Sequence, residues 1–215
     1  MKRLVCFLTF FFLPVVAIAF SVERNELPQQ YAVYDVEQPT DRIQYLGELV
    51  GFPDTYQFVL RDPAPFQAHI LAYQDGEIDP TFSVILVREK DRGGVTEIMR
   101  LKREDGEWIE VTDPDSRIDY LSGEVFEGEL EPGVYRLEVS NPENLGQYAL
   151  WMGTEESGVG YFSSLASIRS AHAFHGYSIF KLFTVSRVYL PLGILLLLGL
   201  MYATWRYRNR PLHAD

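Results

Sequence analysis

The stretch LEPGVYRLEVSNPENLGQYALWM, residues 130–152, decides the fold of this chain. After its Pro-Gly turn, Tyr135, Leu137 and Val139 alternate with charged side chains, which is the two-residue period of a strand with one buried face. A second turn leads into residues 147–152, whose apolar side chains follow the same period. We therefore expect the two strands to form a closing hairpin on one hydrophobic core.

Eight similar runs precede this stretch, each short, rich in β-branched and aromatic residues, and bounded by turn residues. The turn residues recur about every 8 to 12 positions, which is typical of an all-β sandwich or barrel rather than of alternating β and α units. The fold class is therefore predicted to be all-β, with a sandwich over residues 31–156. The eight runs are residues 31–36, 43–49, 56–60, 66–73, 82–88, 95–101, 108–111 and 118–126.

One pair of these runs shows a clear turn signal. Gly93 and Gly94 can both adopt positive φ, so they predict a hairpin between residues 82–88 and 95–101. Residues 84–87 are apolar throughout, which predicts a central rather than an edge strand.

The C-terminal part of the chain carries Val188–Trp205, eighteen residues without a charge. A helix needs about 20 mainly apolar residues to cross the hydrocarbon core, so this run and its flanks predict one membrane span. Pro191 falls in the first turn of that span, where proline is tolerated. Three arginines follow the span, and the positive-inside tendency places the short tail, residues 206–215, in the cytoplasm. The charged flanks of the anchor are Arg187, Arg206, Arg208 and Arg210.

The N-terminal end has the basic, apolar and small-residue order of a secretory signal. We predict a signal peptide over residues 1–19 with cleavage after Ala19, and an uncleaved first span is the alternative. The only cysteine, Cys6, lies inside it. Residues 20–30, which are mostly polar, are predicted to be a linker. In either case the domain that follows is expected outside the cytoplasm, anchored to the cell membrane.

Charge is distributed unevenly along the chain. The net charge is −11, and 29 of the 30 acidic residues lie between Glu23 and Glu156. Such an acidic domain repels phosphate backbones, which excludes nucleic acid as a partner. The remainder of the chain is basic and suits contact with lipid headgroups, so the membrane bilayer is a predicted partner.

Residues 157–187 are predicted to be a juxtamembrane amphipathic segment. Five of its side chains recur at spacings of three and four and share one face of a helix, which we expect to lie at the headgroup level. Histidines seated at the interface are the favoured interpretation, and a metal pair or a pH switch stays open. The face consists of Tyr161, Leu165, Ile168, His172 and His175.

Few residues are candidates for chemistry. A catalytic serine needs a base, and His69 is the one histidine of the β domain, on the strand face of Gln67 and Leu71. An ordinary, partly buried histidine is favoured there, and no catalytic residue and no cofactor are predicted. Calcium is a weak alternative because carboxylate-rich turns supply hard oxygen ligands, although turns also need Asp for their own geometry. The calcium candidates are Asp75, Asp79, Asp113 and Asp115.

Residues 130–139 and the Gly-x-Tyr-x-Leu motif at 146–150 resemble the end of bacterial pre-peptidase C-terminal domains. Residues 56–60 and 82–87 resemble the earlier strands of that family, which extends the likeness over residues 43–153. The resemblance implies a jelly-roll sandwich and a non-catalytic module of secreted proteins. The overall layout is similar to that of bacterial membrane-anchored proteins of unassigned function.

Together these features predict a non-catalytic, membrane-anchored module that binds a protein or glycan partner through its loops. Two alternatives stay open. One is a membrane-bound hydrolase that uses carboxylates or calcium. The other is an accessory subunit of a membrane assembly, for which Gly199 and Ala203 offer a small-residue contact face within the span.

Overall fold

The structure, a computed structural model, describes residues 20–25, 33–73, 81–90, 92–102 and 107–208. Several predictions from the sequence fall elsewhere in the chain. They concern residues 1–19 with Cys6, residues 26–30 of the linker, Asp75, Asp79 and Arg210.

Eleven strands are present in the described residues. Each coincides with a predicted run to within a few residues, except the first, which lies in the predicted linker. The strands are β1 (Ser21–Arg24), β2 (Val33–Asp35), β3 (Ile43–Val50), β4 (Asp54–Leu60), β5 (Ala64–Ala72), β6 (Ser83–Glu89), β7 (Val95–Leu101), β8 (Ile109–Thr112), β9 (Asp119–Leu130), β10 (Gly133–Ser140) and β11 (Leu145–Met152).

The strands form two sheets. The six-stranded sheet has the order β1-β3-β11-β5-β9-β8, and the five-stranded sheet has the order β2-β4-β10-β6-β7. All neighbours are antiparallel except β1 with β3 and β2 with β4. The predicted all-β, jelly-roll-like sandwich is therefore confirmed. The hairpin of β6 and β7 and the central place of β6 are also as predicted.

The prediction that residues 130–152 form a hairpin is wrong. β10 pairs with β4 and β6, whereas β11 pairs with β3 and β5 of the opposite sheet. The turn between them carries the chain from one sheet to the other. It is closed by the Asn141 side chain, which accepts from the Leu145 amide at 3.0 Å and donates to the Leu145 carbonyl at 2.7 Å. Asn144 and Gly146 adopt positive φ (48° and 113°), which redirects the second strand.

The main core lies between the inner faces of the two sheets. Tyr135, Leu137 and Val139 point into it from β10, and the predicted apolar face of β11 meets them from the other side. The ring of Phe58 stacks on Tyr135 with centroids 5.3 Å apart. Burial of each such side chain stabilises the fold by about 1.5–3 kcal/mol, so the sandwich does not depend on disulfides.

Residues 20–25 are part of the sandwich and not of a linker. β1 pairs in parallel with β3, with Ser21 opposite Ile43. The preceding Phe20 is fully buried, and its ring meets Trp151 edge to face at 5.7 Å. Burial of this large apolar side chain against the sheet stabilises the position of β1. The mostly polar residues that follow Phe20 gave no sign of a strand.

Three helices follow the sheets: α1 (Tyr161–Phe174), a short 3-10 helix (Ile179–Thr184) and α2 (Ser186–Arg208). The predicted apolar face of α1 exists, but its central residues Ile168 and His172 are buried by protein. They pack on the outer face of the six-stranded sheet, which itself carries apolar side chains. The expectation that this face lies among lipid headgroups is therefore wrong. A second hydrophobic cluster, separate from the main core, lies on this outer face. We name it the second cluster, and it consists of Phe20, Leu46, Leu71, Ile118, Tyr120, Ala149, Trp151, Ile168, Ala171 and Val185.

α2 contains the predicted span and extends it at both ends. It has 23 residues, its most apolar 18-residue window has a mean hydropathy of 1.8, and none of that window is buried inside the protein. At about 1.5 Å per residue its length exceeds the roughly 30 Å of a hydrocarbon core. The C-terminal helix is thus long and apolar enough to cross a membrane.

Candidate binding face and junction with the C-terminal helix

Arg187 joins the start of α2 to the β-sandwich. Its guanidinium donates to Asp115 Oδ1 at 2.7 Å and also to the Ser164 hydroxyl. The side chain is 12% exposed, so this ion pair is shielded from water more than an ordinary surface pair. The first turn of α2 is therefore held by α1 and by the turn between β8 and β9, which lies 72 positions away in sequence.

Pro191 explains a second contact in the first turn of α2, made by the carbonyl of Arg187. The proline is the sixth residue of α2, so the prediction that it lies in the first turn of the helix is wrong. Proline has no amide hydrogen, so it leaves the carbonyl of Arg187, four residues earlier, without its helical partner. The Tyr161 hydroxyl of α1 donates to that carbonyl instead. We refer to the contacts of Arg187 with Asp115, Ser164 and Tyr161 as the junction.

The two described calcium candidates have protein partners. Asp113 Oδ1 accepts from the amides of Asp115 and Ser116, each at 2.8 Å, which closes the turn before β9. Burial raises the pKa of Asp115, although Arg187 opposes the shift. The described residues hold no group of three or more His, Cys, Asp or Glu side chains arranged for a metal ion. Calcium binding stays a prediction from the sequence, and a calorimetric titration would test it.

His175 lies at the end of α1 in a polar pocket beneath the helix. Its Nδ1 donates to Gln147 Oε1 and its Nε2 accepts from the Tyr120 hydroxyl, both at 2.9 Å. The ring also stacks on Tyr73 at 4.1 Å between centroids. Burial, reinforced by the neighbouring His172, lowers the pKa of His175 to about 3, so the ring is neutral at pH 7.

His172 has a different partner. Its Nε2 donates to the Ser116 carbonyl at 2.6 Å, and its Nδ1 is buried without a hydrogen bond. The two histidines are thus brought to one interface, between α1 and the six-stranded sheet, but they bind separate protein groups. Both nitrogens of His175 are occupied, so the geometry does not assemble the metal pair considered from the sequence.

His69 lies on β5 and pairs with a serine. Its Nε2 is 2.9 Å from the Ser122 hydroxyl on the neighbouring strand β9. Burial lowers the pKa of His69, and nearby Arg42 lowers it further. A serine nucleophile also needs its histidine oriented by a third group. No carboxylate in the described residues is hydrogen-bonded to His69.

A buried polar cluster lies at one end of the main core. The Tyr148 hydroxyl donates to Asp54 Oδ2 at 2.5 Å and lies 2.9 Å from the Tyr56 hydroxyl, while Asn25 donates to both Asp54 and Tyr56. Burial raises the pKa of Asp54, and the hydrogen bonds from Tyr148 and Asn25 oppose that shift. Gly47 makes room for this tyrosine, since a Cβ there would lie 2.3 Å from the ring. Tyr56 and Tyr148 are fully buried, Asp54 is 5% exposed and Asn25 is half-buried, so these hydrogen bonds stabilise the fold.

The outer face of the five-stranded sheet has no helix packed on it in the described structure, and we name it the open face. Aliphatic side chains are prominent, and Val59 and Val33 are 56% and 48% exposed. Charged side chains lie around them, including Arg136, which pairs with Glu89 at 2.7 Å. The open face consists of Val33, Asp35, Thr55, Gln57, Val59, Ile85, Val87, Glu97, Arg100, Val134, Arg136 and Glu138.

A groove of about 540 Å³ lies at the β2 edge of the open face. Asp35, Glu37, Gln57 and Arg61 supply its polar lining, and Val59 supplies an exposed apolar wall. The sequence predicts binding through loops and does not indicate this face. The alternation in β4 and β10 marked its residues as outward-facing, but an outward residue can be covered by another element, and only the fold shows which sheet is covered.

Several solved structures match this chain, and one example is a bacterial domain. It is the pre-peptidase C-terminal domain of collagenase from Bacillus anthracis, with 17% identity and a TM-score of 0.37, covering 60% of this chain and 99% of that domain. The chain is similar to a pre-peptidase C-terminal domain. No family model and no curated protein matches the chain.

Proposed function

We propose that the protein is a non-catalytic, single-span membrane protein whose β-sandwich binds a partner protein through the open face. The observation that carries this proposal is the difference between the two outer sheet faces. α1 covers the outer face of the six-stranded sheet through Ile168 and Ala171. The open face keeps partly exposed Val59 and Val33 at the surface.

The composition of the open face favours a protein over other partners. Exposed aliphatic side chains surrounded by charged ones are typical of protein contact surfaces, and an apolar patch of this kind is stabilised when a partner covers it. Arg136 and Glu138 lie on neighbouring positions of β10 and supply charges of both signs. They would orient a partner that carries complementary charges.

The topology is part of the proposal. Residues 1–19 direct export, the sandwich lies outside the cytoplasm, and α2 anchors it in the cell membrane with residues 206–215 inside. Protease added to intact cells is expected to digest the sandwich and to spare an epitope placed after Asp215. Loss of the epitope with survival of the sandwich would reverse the orientation.

Photo-crosslinking tests the binding face directly. Benzoylphenylalanine is incorporated at Val59 on the open face or at Ile109 on β8, two aliphatic positions of similar exposure (56% and 60%). We expect Val59 to yield one discrete crosslinked protein in living cells and Ile109 to yield none. The substitution Arg136→Glu, in the same sheet, should reduce the Val59 product without changing the amount of folded protein.

Three outcomes would count against this function. Equal products at Val59 and Ile109 would remove the distinction between the two faces. An unchanged product in Arg136→Glu would show that the charges play no part. A product that glycosidases digest would transfer the site to the glycan alternative.

A further inference from the structure

Four large apolar side chains are exposed where the sandwich meets α2. Phe162 is 82% exposed, Phe180 is 74%, Phe183 is 56% and Ile179 is 54%. We name these four residues the basal patch. Aromatic side chains bury large apolar areas when covered, so three phenylalanines exposed together are costly in water. Covering such a surface with an apolar environment is therefore favourable.

The basal patch lies next to the start of the span. The 3-10 helix ends at Thr184, two residues before α2 begins at Ser186. Phe162 follows Tyr161, whose hydroxyl is bonded to the Arg187 carbonyl in the first turn of α2. The junction therefore holds both parts of the patch at the base of the apolar helix.

Helix geometry explains why Phe180 and Phe183 face outward together. In a 3-10 helix, residues three apart share one face, so Phe180 and Phe183 project together. Leu182 packs against the second cluster, and the following Val185 is fully buried in it. The 3-10 helix is thus fixed to the protein by one side, and its two phenylalanines lie on another.

Charge also favours a lipid surface here. No acidic residue occurs between Ser157 and Ala214, so the segment that carries the patch adds no carboxylate of its own against anionic headgroups. Lys181 lies between the two phenylalanines in sequence, with its ammonium 5.0 Å from the ring of Tyr177. A cation beside exposed aromatic side chains is typical of segments seated at the boundary between headgroups and acyl chains.

We propose that the basal patch inserts into the headgroup–acyl boundary of the bilayer that α2 crosses. This proposal rests on the proposed span. The patch and the junction then seat the sandwich on the membrane in one orientation, rather than leaving it on a flexible tether. The open face lies on the opposite side of the sandwich from α1 and is not needed for this contact.

Site-directed labelling of the full chain tests the seat. The chain is purified and reconstituted in phosphatidylcholine–phosphatidylglycerol vesicles, with Cys6 replaced by serine. An environment-sensitive NBD label is placed at Phe180→Cys or Phe183→Cys. The controls are Val95→Cys, on exposed β7, and Leu197→Cys, in the middle of α2.

The labels at 180 and 183 are expected to emit at shorter wavelength than the label at Val95. They should be quenched by lipids spin-labelled near the headgroup and not by aqueous iodide. The label at Leu197 should be quenched most by lipids spin-labelled deep in the acyl chain. If the labels at 180 and 183 respond to iodide like Val95 while Leu197 lies in lipid, the seat is wrong and the span stands.

Two other results separate the remaining explanations. Iodide access at Leu197 would overturn the span and the seat together. Labels at 180 and 183 that neither quencher reaches would place a protein surface, such as a second copy, on the patch and would also overturn the proposal.

The orientation is tested by a double substitution. Phe180→Ser with Phe183→Ser changes two exposed side chains and should not unfold the sandwich. Energy transfer from a donor on Val95→Cys to acceptors at the vesicle surface should give one narrow distance distribution in the parent chain and a broader one in the double variant. Identical distributions would show that the phenylalanines do not orient the domain.

Discussion

Acidification is expected to loosen α1 from the six-stranded sheet through His175. The ring is buried between Tyr120, Gln147 and Tyr73, and its neutral form satisfies both hydrogen-bonding partners. A proton added to Nε2 would remove the acceptor of the Tyr120 hydroxyl and place a charge in a pocket that also faces His172. Protonation is therefore opposed by the folded state.

The magnitude follows from the lowered pKa. The pKa of His175 is about 3 in the folded chain, against 6.5 as its ordinary value. Between these values the unfolded chain binds more protons than the folded one, so stability is complete above pH 6.5 and is lost as the pH falls towards 3. At about 1.4 kcal/mol for each pH unit, the loss at pH 5 is about 2 kcal/mol.

Urea unfolding of the reconstituted full chain at pH 7 and pH 5 measures this loss. The matched variant is His175→Gln, which keeps polar atoms in the pocket but cannot take up a proton. Burial raises the pKa of Asp54 and Asp115 in both proteins, so their contributions cancel in the comparison. The parent should lose about 2 kcal/mol more than the variant on acidification. Equal losses would refute the assignment of the charge penalty to His175.

Three substitutions test other contacts. Tyr161→Phe should cost about 1 kcal/mol of protection in the first turn of α2, measured by hydrogen exchange, and this cost should disappear when Pro191→Ala restores the missing amide. Gly47→Ala should lower the free energy of unfolding by about 2 to 3 kcal/mol, measured in urea, because its methyl group meets the buried Tyr148 ring. Tyr148→Phe should cost about 2 kcal/mol and raise the pKa of Asp54 further, measured by urea unfolding and carboxyl NMR titration.

Controls keep these tests specific. Gly158→Ala adds a methyl group with nothing within 4 Å and should leave stability nearly unchanged. If it destabilised the chain as much as Gly47→Ala, the clash with Tyr148 would not be the cause. Additive effects of Tyr161→Phe and Pro191→Ala would show that the tyrosine does not compensate for the proline. An unchanged pKa of Asp54 in Tyr148→Phe would show that the hydrogen bond from Tyr148 does not affect this carboxylate.

The candidate sites show what local sequence patterns predict and what they do not. The spacing of Ile168 and His172 predicts a helix face, and that face exists, but spacing carries no information about whether lipid or protein covers it. Phe20 lies in a short polar segment, so nothing in the pattern indicated a strand. Arg187 was expected as a membrane flank, and its pairing with Asp115 depends on a turn 72 positions away.

The sequence by itself determined the strand positions from Ile43 to Met152, the all-β class and the apolar helix at residues 188–205. These features depend on side-chain period and on turn residues, which act over a few neighbouring positions. Only the tertiary structure decided that β10 and β11 join opposite sheets, that α1 covers one of those sheets, and that the other is left open. Alternating side chains create the same buried face in a hairpin and in a crossing between sheets, so the packing of distant segments makes that choice.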